Sequence, residues 1–231
     1  EDTLFHCGLV AVKSGDKWGY IDKTGKYVIN PQFDDVVAFS DNGLARVRVD
    51  GKYGYVSKDG KYAVNPQFDD AYPFANNGLA LVQTGGKYGF IDKSGTYVIN
   101  PQFDGAGEFT KSGLAVVVID GKFGYIDKAG NYIIKPQFDG ASYFTDNGLA
   151  MALVGYKYGF IDKSGKFVIN PQFDDADNFS DNGLAVVESA GKYGYIDNAG
   201  HYVINPQCDY ETSFSSNGLA RVKLGGQCGY I

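Results

Sequence analysis

Six aspartates occupy one repeated position in this chain: Asp34, Asp69, Asp104, Asp139, Asp174 and Asp209. Carboxylates gathered along a ring or stripe would make a cation site, and Asp35, Asp70 and Asp175 add a second acid to three of them. The competing reading is that each carboxylate accepts backbone N–H bonds in the turn after Pro-Gln-Phe, as aspartate commonly does. No Asp-x-Asp-x-Asp-Gly loop of the calcium-binding kind occurs, which favours the turn. Asp22, Asp92, Asp127, Asp162 and Asp197, each just before a hairpin turn, read the same way.

Groups for catalysis are few. Histidine occurs only at His6 and His201, and neither repeats. His201 stands in a hairpin turn where other copies carry Lys26, Lys61 or Thr96, so an exposed turn residue is expected. Three scattered cysteines and two histidines give no zinc-type spacing. Glu108, Glu188 and Glu211 are isolated acids, and Gly85-Gly86 lacks the lysine-serine context of a phosphate-binding loop. The expectation is a protein that is not an enzyme and holds no metal or cofactor.

Two cysteines break the repeat pattern. Cys208 replaces the phenylalanine seen at Phe33, Phe68, Phe103, Phe138 and Phe173, while Cys228 replaces Trp18 and its tyrosine or phenylalanine equivalents. If these aromatic positions touch in every copy, a Cys208–Cys228 disulfide would replace the contact and stabilise by roughly 3 kcal/mol. Two independent buried thiols are the alternative. Cys7 falls at a turn position held by Asn42 in the next copy.

The frame around these residues is a repeat of 35 residues with no insertion or deletion. Gly-Leu recurs at Gly8, Gly43, Gly78, Gly113, Gly148, Gly183 and Gly218, and an aromatic-glycine pair keeps the same step from Gly19 onward. The whole of residues 1–231 reads as one repeat domain: a partial unit at 1–7, full units from 8, 43, 78, 113, 148 and 183, and a partial unit at 218–231. The unit from Gly43 predicts four short strands. The first runs from Gly43 to Val49 and turns at Asp50-Gly51, and the second spans Lys52 to Ser57. The third follows the Lys58-Asp59-Gly60 hairpin and ends at Pro66, and the fourth runs from Phe68 to Phe74. Gly54 lies mid-strand, where glycine normally weakens a sheet, so a neighbouring aromatic or backbone is expected directly over it. Stacked copies would place an aromatic ladder between repeats.

Composition agrees: 18 tyrosines, 16 phenylalanines and 32 glycines beside a single methionine and a single tryptophan suit an all-β chain. The net charge of −6, with lysines and aspartates interspersed, argues against nucleic acid or an anionic membrane as partner. No apolar run approaches the roughly 20 residues that span a bilayer. Glu1 at the start is compatible with a mature chain after signal removal or with a trimmed one.

Lys17-Trp18-Gly19-Tyr20-Ile21-Asp22, followed by Tyr27-Val28-Ile29-Asn30-Pro31-Gln32-Phe33-Asp34, resembles the bacterial WG-repeat signature. The Trp-Gly pair itself stands only at Trp18-Gly19. The resemblance covers essentially the whole chain and implies a bacterial β-repeat protein without enzyme activity, with ligands largely undefined. A bacterial extracytoplasmic or cell-surface setting is the expectation.

Reading each unit as fourth-first-second-third strand gives seven units, the last lacking one strand. This predicts a β-propeller-like ring, with an open β-superhelix as the alternative. The function expected is an interaction module presenting a repetitive β surface to a protein or polysaccharide partner. The alternative is a self-assembling structural protein joined through its incomplete terminal repeat. A binding face should lie where copies differ within the fixed frame. Such positions are Val36-Val37, Ala71-Tyr72, Ala141-Ser142-Tyr143 and Glu211-Thr212, together with first turns such as Val154-Gly155-Tyr156 and Ser189-Ala190. Tyr72, Tyr143, Tyr156 and Glu211 are the candidate contacts.

Overall fold

The computed structural model describes residues 5–211, 214–215 and 218–231, with nothing to say of the Glu211 side chain. Every regular element among them is a β-strand, and no helix is long and apolar enough to cross a membrane. The chain forms two compact units, Glu1–Phe109 with Lys128–Gly130, and Thr110–Asp127 with Asn131–Ile231.

In the first unit, Asp35–Val36, Leu44–Val49, Lys52–Ser57 and Tyr62–Phe68 form one antiparallel sheet in that order. Asp70–Ala71, Ala80–Thr84, Lys87–Ile91 and Tyr97–Phe103 repeat it. The second unit contains two such sheets, one beginning at Gly140–Ala141 and the other at Asp175–Ala176. Tyr210–Glu211, Arg221–Leu224 and Gln227–Tyr230 make a three-stranded sheet. Each sheet therefore straddles the Gly-Leu mark, as the fourth-first-second-third reading requires.

The turns follow their glycines. Asp50 and Gly51 both take positive φ, 49° and 77°, the backbone that lets a two-residue hairpin match strand twist. Two strand limits differ from the expectation. The third strand does not end at Pro66 but continues to Phe68. Tyr55 pairs with Val64 while Tyr53 pairs with Phe68, so the one residue between them, Gly54, faces three on the other strand, Asn65, Pro66 and Gln67. Pro66 sits inside this bulge, where its missing N–H breaks no ladder bond. The fourth strand is only Asp70–Ala71, because Phe74 leaves the ladder to set its ring against Tyr55, 4.7 Å between centroids.

The bulge also explains the mid-strand glycine. A Cβ on Gly54 would lie 2.6 Å from both the Val64 oxygen and the Pro66 nitrogen. Backbone of the neighbouring third strand, rather than an aromatic ring, therefore crosses over it.

The aromatic ladder has two rungs per repeat. Tyr20–Phe39, Tyr55–Phe74 and Phe90–Phe109 in the first unit, and Tyr125–Phe144 and Phe160–Phe179 in the second, stack tilted at 4.7–4.8 Å. Phe33–Tyr62, Phe68–Tyr97, Phe138–Phe167 and Phe173–Tyr202 meet edge to face at 5.9–6.4 Å. Such pairs contribute about 0.5–1.5 kcal/mol each beyond the area they bury. Tyr20, Tyr55 and Tyr125 are sealed in the core, and each hydroxyl donates to a backbone carbonyl, of Val37, Tyr72 and Ser142, at 2.6–2.7 Å.

Candidate functional site

The repeated aspartates are staples. Asp34 accepts from Lys17 Nζ at 2.5 Å through one oxygen and from the Asp50 backbone N–H at 2.8 Å through the other. Lys17 belongs to one sheet and Asp50 to the first turn of the next, so the carboxylate ties consecutive sheets together. The arrangement recurs at Lys52–Asp69 with Gly85 N–H, Lys122–Asp139 with Gly155 N–H and Lys157–Asp174 with Ala190 N–H. Lys87–Asp104 and Lys192–Asp209 form the same ion pair. The turn reading was thus correct in kind, but the N–H comes from the next unit and the lysine was not foreseen. Its signal was available: Lys17, Lys52, Lys87, Lys122, Lys157 and Lys192 recur with the same step of 35. Asp22, as expected, caps its own turn through Thr24 and Lys26 N–H.

Lysine hydrogen bonding, with the backbone N–H beside it, holds Asp34, Asp69, Asp139 and Asp174 below the ordinary carboxylate range. Groups with a depressed native pKa stabilise the fold above their unfolded pKa, near 3.9, and that stability is lost as pH falls through the native value. The urea midpoint is therefore expected to hold level down to about pH 5 and drop steeply below about pH 4. Asp139→Asn should flatten part of that drop; an unchanged acid limb would show the staples to be inert.

The other predicted residues are dispersed. His6 and His201 are both exposed, with His201 Nδ1 3.4 Å from Asp197 in its own turn. The cysteines carry separate thiols: Cys208 is buried, Cys7 and Cys228 exposed. The register gives the reason. The Phe33 position stands opposite Trp18, fifteen residues earlier, and its ring meets Tyr62 rather than Tyr53. Cys208 likewise stands opposite Tyr193 and packs with Val222 and Ala220, while Cys228 faces Lys223 with its Sγ 3.8 Å from Arg221 Nη2. The two aromatic positions meet across neighbouring strands fifteen residues apart, as Trp18 and Phe33 do, and not across the twenty that separate Cys208 from Cys228, so the disulfide expectation loses its premise.

Of the variable-surface candidates, Tyr72 is half-buried and chiefly offers its carbonyl to Tyr55. Thr212 and the Glu211 side chain lie outside the described residues. Tyr143 is 55% exposed and Tyr156 is 91% exposed. Tyr156 holds φ at 66° where five other copies have glycine and the first has Asp16, a strained backbone for a bulky residue.

Tyr143 also borders a cleft of about 680 Å³ in the second unit. Its walls are the turns preceding the Gly-Leu marks: Thr145-Asp146-Asn147 and Ser180-Asp181-Asn182, with Thr110 and Lys111. Part of this polar set serves the fold. Asn147 Oδ1 accepts Leu149 N–H at 3.0 Å, its Nδ2 donates to Asn198 at 2.8 Å, and Asn182 accepts Leu184 N–H at 3.1 Å. Lys111 reaches Asp146 at 3.6 Å, both highly exposed. What remains for a ligand is a ring edge, mixed hydroxyls and amides, and the Asp181 carboxylate. These turns escaped the sequence reading because their residues look like ordinary turn formers; only the fold gathers them.

The sequence profile of the WG containing repeat matches residues 18–53, 53–88, 88–123, 123–158, 158–193 and 193–228. Among solved structures, the chain is similar to a eukaryotic initiation factor at 13% identity and TM-score 0.58, over 93% of this chain and 67% of that one. It is similar to Kluyveromyces lactis Hsv2p at 10% identity and TM-score 0.50, over 93% and 88% of the two chains. The extracellular domain of a one-component system from B. thetaiotaomicron matches at 9% identity and TM-score 0.44, this chain spanning 39% of that one. The first two likenesses show a β-propeller-like fold of repeated four-stranded sheets. No curated protein matches.

Proposed function

Because the chain belongs to the WG containing repeat family, we propose that it is a non-enzymatic interaction module, presenting a repeated β surface to a protein or polysaccharide partner. The observation that carries this reading is the 680 Å³ cleft, in the size range of ligand sites, walled by polar turns beside the exposed Tyr143 ring. A tyrosine offers large amphipathic area with only two side-chain torsions to fix, which suits it to an anchoring role. Tyr156 is a second anchor: its backbone strain is a standing penalty that a purely structural turn would relieve with glycine. The reading of non-catalysis rests on the dispersal of His6, His201 and the three cysteines.

The test is binding of defined soluble polysaccharides and peptides to the wild-type chain, Tyr143→Ala and Tyr156→Gly. At least one ligand is expected to bind wild type and weaken tenfold or more on Tyr143→Ala, about 1.4 kcal/mol. Tyr156→Gly is expected to raise stability by about 1 kcal/mol and to weaken binding. Turnover of any ligand would defeat the non-enzymatic reading, and equal binding by all three proteins would remove the cleft from it. Particle size that grows with concentration, with no ligand bound, would favour self-association instead.

A further inference from the structure

In the sheet that contains Leu44–Val49 and Lys52–Ser57, two arginines crowd one tyrosine. The Arg46 guanidinium lies 4.9 Å from the Tyr53 ring centre and Arg48 lies 5.9 Å from it. Arg46 also bonds Asp35 at 3.1 Å and the Ala71 carbonyl at 2.9 Å. This is a built guanidinium site: an aromatic face, a carboxylate and a carbonyl, filled by the protein's own side chain.

The copy 140 residues later keeps the frame of that site and removes the cation. Asp175 stands where Asp35 does and Tyr193 where Tyr53 does, but Arg46 has become Val186 and Arg48 has become Glu188. Asp177 stands where Val37 does and Tyr210 where Asp70 does, which moves one carboxylate and adds a second ring. The register sets Asp175 directly opposite Glu188, where the earlier copy sets Asp35 opposite Arg48. Like charges across a ladder are unfavourable. Among the described residues, neither Asp175 nor Glu188 is in a salt bridge.

A pocket of about 120 Å³ opens at this spot, lined by Asp175, Asp177, Val186, Glu188, Tyr193 and Tyr210. At about 30 Å³ for each water it has room for roughly four, enough for a side-chain tip and too little for the ~300 Å³ of a small-molecule site. We infer that this pocket receives a guanidinium from a partner protein, an arginine side chain that fills the place Arg46 and Arg48 fill internally in the earlier copy. The inference rests on the interaction-module reading and names one contact of its protein partner. An arginine is favoured over a lysine because the internal occupant meets a planar ring and a carboxylate together, which a planar, forked cation matches.

The test uses the peptide acetyl-Gly-Arg-Gly-amide and its citrulline counterpart, which keeps the shape and loses the charge. Backbone amide shifts of the full chain are followed by NMR up to about 10 mM peptide, the range of a single weak contact. The arginine peptide is expected to shift the amides of 175–177 and 186–193, with the citrulline peptide at least tenfold weaker. Glu188→Arg, which restores an internal cation, is expected to abolish the shifts and raise the melting temperature. Glu188→Gln, which keeps the side chain's shape, should weaken binding without abolishing it. Equal binding of the two peptides, undiminished binding by Glu188→Arg, or no shift at the highest concentration would each overturn the inference. Those results would leave ligand binding at the cleft untouched, whereas loss of cleft binding with peptide binding intact would defeat the broader reading alone.

Discussion

Gly124→Ala is expected to destabilise the second unit by about 3 kcal/mol or more, while Gly229→Ala, the same substitution at the same repeat position, stays within about 0.5 kcal/mol. A methyl on Gly124 would lie 2.6 Å from both the Ile134 oxygen and the Pro136 nitrogen, and 2.9 Å from the Lys135 carbonyl carbon. All three contacts are backbone, so no side chain can rotate away. Relief requires the bulge to move, and the bulge also carries the pairing of Phe123 with Phe138. Gly229 has nothing within 4 Å of the added carbon. Alanine suits a strand no worse than glycine does, so propensity cannot produce the difference. Thermal melts of the two variants decide it. At 2–4 °C per kcal/mol for a chain of this size, Gly124→Ala should melt about 6–12 °C or more below wild type. Similar losses in both would mean that glycine serves the strand itself rather than the crossing backbone.

That crossing shows how far the sequence could be read. The unbroken 35-residue step, the Asp-Gly turns and the aromatic composition were enough for the all-β repeat and the strand order within a sheet, because turn chemistry and side-chain alternation act locally. Gly54 was legible as a constrained position, but backbone and ring were equally good candidates for the constraint. The bulge at Asn65-Pro66 decides between them. The end of the third strand was misplaced for the same reason, since Pro66 reads as a terminator unless a bulge is known to accommodate it.

The site was less legible than the frame. Asp34 was visible as a repeated carboxylate, but its partners sit 17 residues before it and 16 after, at Lys17 and Asp50, on different sheets. No local rule joins such positions. The Cys208–Cys228 pairing failed through register: the two aromatic positions face each other at a separation of fifteen residues, as Tyr193 and Cys208 do, whereas Cys208 and Cys228 are twenty apart. The guanidinium pocket shows the opposite case. Each of its residues looks unremarkable in sequence, and it becomes readable only when Val186 and Glu188 are set over Arg46 and Arg48 in a register the sheet confirms.

Alkaline pH is expected to unfold this protein steeply, with the loss beginning near pH 10. Tyr20, Tyr55 and Tyr125 have 0%, 0% and 1% of their surfaces exposed, and burial pushes all three phenols well above their ordinary value. A native pKa raised above the unfolded one gives stability that is complete below the unfolded value, about 10, and is lost as pH rises beyond it. Each such group removes about 1.4 kcal/mol per pH unit, so three remove about 4. Between pH 10 and 11.5 the sum reaches about 6 kcal/mol, comparable to the whole stability of many domains. Circular dichroism and tyrosinate absorbance should therefore change together, the buried phenols ionising only as the sheets open. The triple variant Tyr20→Phe, Tyr55→Phe, Tyr125→Phe separates the two roles of the hydroxyl. At pH 7 it should lose about 1 kcal/mol per site, because the carbonyls of Val37, Tyr72 and Ser142 lose their donor. Above pH 10 it should lose stability far more slowly than wild type, since phenylalanine has no proton to release. The rings themselves fit, as Phe90 and Phe160 occupy the same position and stack in the same way on Phe109 and Phe179. An alkaline limb as steep in the variant as in wild type would place the sensitivity outside these three phenols.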